Sequence, residues 1–214
     1  MRLSKEDMAR RVAEDIPDGA YVNLGIGLPT QVSNHVADDK QVIYHSENGI
    51  LGVGPEPAPG EENTNLINAG KQFVTLLPGG CYFDNAESFA MMRGGHLDIA
   101  VLGAFQVSET GDLANWATND DKFPPAVGGA MDLAVGAKKL FVIMRHTTRD
   151  DEPKILEACS YPLTGKGVVS RIYTDLAVID VTDEGLRVAE LFGDNTLEQV
   201  QALTGARLLP VAHG

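Results

Sequence analysis

The stretch Gln41-Val42-Ile43-Tyr44-His45-Ser46-Glu47-Asn48-Gly49 passes from an apolar, β-branched and aromatic run straight into a turn-forming tetrapeptide. This pattern predicts a strand over residues 41–45 whose carboxyl end opens into a loop. The arrangement recurs along the chain. Residues 21–24 precede Gly25-Ile26-Gly27, residues 73–77 precede Pro78-Gly79-Gly80, residues 98–102 precede Gly103, and residues 140–144 form a fifth run of the same kind. Helical patterns separate these runs at residues 30–37, 85–93 and 129–137, and an amphipathic helix with Met8, Val12 and Ile16 on one face opens the chain at residues 4–16. Strands alternating with helices predict an α/β fold: an open, largely parallel sheet flanked by helices, as one domain over residues 1–214. Ligands of such sheets sit beyond the carboxyl ends of the strands, so the four glycine-bearing loops are expected to share one edge.

From residue 168 the pattern changes to strands at 168–174, 177–181 and 186–192. The last two are joined by Thr182-Asp183-Glu184-Gly185 as a hairpin, and a final helix runs from a cap at Asn195 or Thr196 to Gly205. Residues 52–70 hold four glycines and three prolines and read as one long loop.

Seventeen Lys plus Arg against thirty Asp plus Glu leave a formal charge of −13, which argues against nucleic acid or an anionic membrane surface as partner. Two cysteines without metal-site spacing point to a reducing, cytoplasmic setting, with Cys81 read as a small core residue. The charged first eleven residues and the short apolar runs argue against a signal peptide and a membrane span.

Among the predicted loops, the one after residues 41–45 presents an ionisable group at its tip, Glu47. A lone loop glutamate is ordinarily a solvated surface residue; here Ser46, Asn48 and Gly49 around it and Ile50-Leu51 after it indicate a tight turn packed from below. A carboxylate held so could act as general base, metal ligand or nucleophile. For a metal the companions are poor: the five histidines have no ligand spacing, and Asp120-Asp121 and Asp150-Asp151 read as solvated pairs. Gly25-Ile26-Gly27-Leu28-Pro29 lacks the third glycine of a dinucleotide fingerprint, residues 163–167 lack the first glycine of a P-loop, and no Gly-x-Ser-x-Gly elbow occurs. Gly128 and Gly129 before Ala130-Met131-Asp132-Leu133 place free amides at a helix start, suited either to an oxyanion or to close helix packing.

The segment SENGILGVGP (residues 46–55) resembles the active-site segment of the B subunit of family I 3-oxoacid CoA-transferases. YVNLGIGLPT, LINAGKQFVTLLPGG, SFAMMRGGHLDIAVLGAFQVS, GDLANW, GGAMDL and CSYPLTG follow in family order over nearly the whole chain. His45 before that segment and PAPGEE (residues 57–62) are most similar to the 3-oxoadipate branch. The resemblance implies the CoA-transferase type of α/β fold, shared with ribose-5-phosphate isomerase-like domains, with a C-terminal hairpin and helix. It implies Glu47 as nucleophile, an oxyanion and thioester site at Gly128, Gly129 and Ala130, and substrate contacts at Asn23, Gly25, Asn48 and Gly49. It further implies ping-pong transfer from succinyl-CoA to a 3-oxoacid, with acetoacetate as the other acceptor, no cofactor or metal, and coenzyme A thioester as substrate. An A subunit completes the site in a heterotetramer, so the chain alone is expected to be inactive. For a dicarboxylate acceptor a cation should meet the far carboxylate, and Arg93, Lys71, Arg145 and His45 are candidates. A non-catalytic acyl-CoA or sugar-phosphate sensor, and a hydrolase using Glu47 as base, are the competing readings.

Overall fold

A computed structural model describes residues 1–118 and 126–211. Asp120-Asp121 and His213 lie outside the described residues. The chain begins with α1 (Lys5–Glu14), capped by the Ser4 hydroxyl, which accepts from the Asp7 N–H at 3.0 Å. The strands β1 (Tyr21–Leu24), β2 (Ile43–Ser46), β3 (Ile50–Val53) and β4 (Leu76–Tyr82) follow, then α2 (Asn85–Arg93) and β5 (Ile99–Leu102). Next come β6 (Gln106–Ser108), β7 (Leu113–Ala114), α3 (Ala130–Gly136), β8 (Lys139–Ile143) and β9 (Ile155–Leu156). The chain ends with β10 (Val169–Tyr173), β11 (Ala177–Thr182), β12 (Gly185–Leu191), α4 (Leu197–Ala202) and β13 (Leu208–Leu209).

Ten strands form one sheet in the order β13-β12-β11-β10-β8-β5-β1-β2-β3-β4, and β7-β6-β9 form a second, small one. The centre, β10-β8-β5-β1-β2, is parallel throughout. Its strands alternate faces. Ile99 and Val101 of β5, with Phe141 and Ile143 of β8, pack toward Met8 and Val12 of α1 and Ile16 just after it. Ala100, Leu102, Leu140 and Val142 pack toward Met92 of α2, Leu133 of α3 and Val200 of α4. All four residues of β5 are therefore buried, which is why it reads as an uninterrupted apolar run.

The C-terminal hairpin forms as expected, with Thr182 opposite Gly185, and α4 is capped by Thr196 but stops at Ala202. Four expectations need correction. The helix expected at 30–37 is a 3-10 helix, Leu28–His35, with Pro29 in its first turn. Pro78-Gly79-Gly80 lie inside β4 rather than after a strand; β4 is an edge strand, where a proline costs no ladder hydrogen bond. Cys81 on that edge is exposed, not a core residue. The loop expected from residue 52 begins later, because Ile50–Val53 pairs with β2 on one side and β4 on the other.

Candidate functional site

The parallel strands β1, β2 and β5 deliver Gly25, Glu47 and Gly103 to one edge, and all three line a cleft of about 520 Å³. Three of the four expected loops therefore meet. Glu47 is at the tip of the β2–β3 hairpin, whose turn the Gly49 N–H closes by donating to the Ser46 carbonyl at 2.9 Å. Gly49 has φ +111° and its Cα faces the Phe83 carbonyl, so a side chain there would be both strained and obstructed. Asn48 is exposed and donates to the Ile67 carbonyl at 2.8 Å, and Ser46 Oγ accepts from the Ala69 N–H at 3.0 Å. These bonds fasten the segment after β3 onto the hairpin. Asn48 and Gly49 thus shape the turn and do not line the cleft, whereas Asn23, Gly25, Gly128, Gly129 and Ala130 do.

Beneath Glu47 runs a buried relay that the sequence patterns did not reveal. Asn23 Nδ2 donates to the His45 carbonyl at 3.2 Å, which fixes the amide orientation, and lies 2.9 Å from His45 Nδ1. That nitrogen must then accept, so the His45 proton is on Nε2, 3.1 Å from Ser88 Oγ. The Ser88 hydroxyl passes the direction on by donating to the Glu47 carbonyl at 2.7 Å. His45 is 3% exposed and Ser88 0%; burial pushes the imidazole pKa down to about 4, so it stays neutral and its ring stacks on Phe83. His45 is therefore not a cation for substrate. The clue in the sequence was a histidine on the strand that leads into the Glu47 turn.

The Glu47 carboxylate itself has no hydrogen-bond partner among the described residues. Burial, and then the negative charge of Asp132, hold its pKa above the ordinary carboxylate value. It lies directly against Gly129: a Cβ on that glycine would stand 2.9 Å from Glu47 Cδ and still closer to Oε2. The Gly129 N–H has no acceptor among the described residues, while the Ala130 N–H is 3.3 Å from the Val127 carbonyl. Asp132 is tied to Arg93 at 2.6 Å, and Arg145 stands 3.6 Å from buried Asp175. Neither arginine, nor exposed Lys71, nor His45 lines the cleft. The lining cation is Lys154, which sequence reasoning did not single out because it stands in no periodic or motif context.

Among the described residues no three or more His, Cys, Asp and Glu side chains are grouped to hold a metal, and no helix is long and apolar enough to cross a membrane.

Known proteins resemble the chain in sequence and in fold. It is 62% identical over 208 residues to the B subunit of the 3-oxoadipate CoA-transferase of Pseudomonas putida, covering 97% of each chain. It is 57% identical over 213 residues to the protein of the same name from Acinetobacter baylyi, covering 100% of this chain and 98% of that one. Among solved structures, the acyl-CoA transferase YdiF of Escherichia coli O157:H7 superposes with a TM-score of 0.74 at 18% identity, over 98% of this chain and 43% of that one, which speaks for the fold. The Coenzyme A transferase family profile matches residues 5–202, and with these likenesses the chain belongs to the coenzyme A transferase family.

Proposed function

We propose that this chain is the B subunit of a heteromeric enzyme that moves CoA from succinyl-CoA to a 3-oxoacid, 3-oxoadipate above acetoacetate, through a thioester on Glu47. The observation that carries the reading is the placement of a carboxylate with no hydrogen-bond partner among the described residues at a hairpin tip, in a cleft and against Gly129. The similarity to the two named B subunits supports the choice of acceptor and the need for an A subunit.

A Glu47 oxygen attacks the thioester carbonyl carbon of the donor; the C–S bond breaks and CoA leaves as thiolate, giving a mixed anhydride that keeps the acyl group activated. The thiolate attacks the Glu47 side of the anhydride, freeing succinate and leaving glutamyl-CoA. The acceptor carboxylate then attacks that thioester and expels CoA thiolate again, which closes on the acceptor acyl carbon and releases Glu47. Each addition passes through a tetrahedral oxyanion. The Gly129 amide is the donor of this chain for it, one such donor being worth about 10² to 10³ in rate. The raised pKa suits the role, because a more basic carboxylate is the stronger nucleophile provided that it is ionised at working pH. Water would hydrolyse both the anhydride and the thioester, so the segment pinned to the hairpin and the A subunit serve as covers.

The test is mass spectrometry of the complex with its A subunit after exposure to succinyl-CoA. Native protein should gain a CoA adduct on Glu47, and Glu47→Gln should gain none and lose transfer. Free CoA released without acceptor would favour a hydrolase, and tight binding without exchange a sensor.

A further inference from the structure

Glu47 and Lys154 are the charged side chains among the described lining residues of the cleft, and they stand at different strands. The Lys154 ammonium donates to the carbonyl of Ala104, two residues past β5, at 2.7 Å. In the sheet β5 is separated from β2, which carries Glu47, by β1 alone. Two strand spacings make about 10 Å. The lining around the two charges is largely apolar, with Leu24, Ile26, Leu102, Ala104, Phe105 and Met144, and also carries the amides of Asn23 and Asn115.

An ammonium has three protons, and the Ala104 carbonyl is the one acceptor that Lys154 has among the described residues. Its setting is largely apolar: burial lowers its pKa to about 8, partly offset by Asp175, which is itself occupied by Arg2 at 3.1 Å. A half-used ammonium at the end of an apolar wall needs an anion to complete it.

We infer that Lys154 receives the far carboxylate of a dicarboxylate acyl group whose near carboxyl carbon lies at Glu47, and so selects dicarboxylate over monocarboxylate 3-oxoacids. This rests on the transferase reading above. An extended six-carbon diacid with a hydrogen bond at its far end spans roughly 9 Å, which matches the separation of the two strands. A six-carbon monoacid would place a methyl group against the ammonium, leaving it unpaired in the loaded cleft.

The experiment compares 3-oxoadipate with 3-oxohexanoate, which has a methyl group in place of the far carboxylate, as acceptors for the assembled two-subunit enzyme with one donor. In native enzyme kcat/KM should favour the diacid by roughly 10- to 100-fold, the worth of a charge-assisted contact. Lys154→Met should collapse that ratio, chiefly through KM for the diacid, and Lys154→Arg should retain most of it. Lys154→Gln, which retains a neutral N–H donor, is the second neutral variant should the first not assemble. Equal use of the two acids by native enzyme, or an unchanged ratio in the neutral variants, overturns the Lys154 assignment alone. Transfer to neither acid by native enzyme overturns the reading on which it rests.

Discussion

At the scale of single residues, the site depends on an atom that is missing. Gly129 has an ordinary helical φ of −78°, so an alanine there meets no backbone penalty. The added methyl would instead occupy the place of the Glu47 carboxylate. Gly129→Ala should therefore fold with a melting temperature within about 2 °C of native. Its transfer rate should fall by about 10²-fold or more, the penalty of displacing a nucleophile by an ångström. Thermal melts beside steady-state assays check both. From the sequence alone, Glu47 was legible because a charged residue at a strand's end among small, turn-forming neighbours is conspicuous. The buried Ser88 and the cleft lysine were not, since a hydroxyl in a helix and a lysine in a connecting segment acquire meaning only when distant parts of the chain meet.

At the scale of elements, α2 and α3 set the charge around Glu47. Asp132, in the first turn of α3, raises the Glu47 pKa, while Arg93 at the end of α2 pairs with Asp132 and moderates its field. On the proposed mechanism Glu47 must be ionised, so activity should be lost as pH falls through its pKa. Asp132→Asn removes a like charge and should move that acid limb to lower pH in a kcat/KM profile. The elements themselves were read well where a single signal governed them. α2 falls on its expected residues because its cap, Asp84, and its basic end agree. β3 and β4 were misread because glycines and a proline inside short strands look like turns, and only sheet pairing reveals that Gly52 and Gly80 face each other across a bulge.

At the scale of the molecule, the parallel centre was legible from alternating patterns, and the second sheet was not, since its strands are two or three residues long. The N-terminal helix is bound to the far side of the sheet by ionic contacts. Arg171 of β10 meets Asp15 at 2.6 Å, Tyr173 donates to Asp15 at 2.7 Å, and Arg11 reaches Glu190 of β12 at 2.7 Å, while within the helix Arg11 also holds Asp15 at 2.8 Å. Burial raises the Asp15 pKa, but the bonds from Arg11, Tyr173 and Arg171 outweigh it and the net direction is down. A depressed carboxylate stabilises the fold above its unfolded pKa, and that contribution is lost as pH falls through the folded value. Asp15→Asn should then cost about 1–3 kcal/mol at neutral pH, with the deficit shrinking in acid, as denaturant titrations at several pH values would show.

The pKa values of Asp15 and Glu47 are thus shifted in opposite directions, down for the first and up for the second. On gradual acidification Glu47 should take up its proton while the clamp between helix and sheet is still ionised. On the proposed mechanism catalytic silence should precede loss of architecture, leaving an interval of intact but dormant protein that neutralisation alone should reawaken.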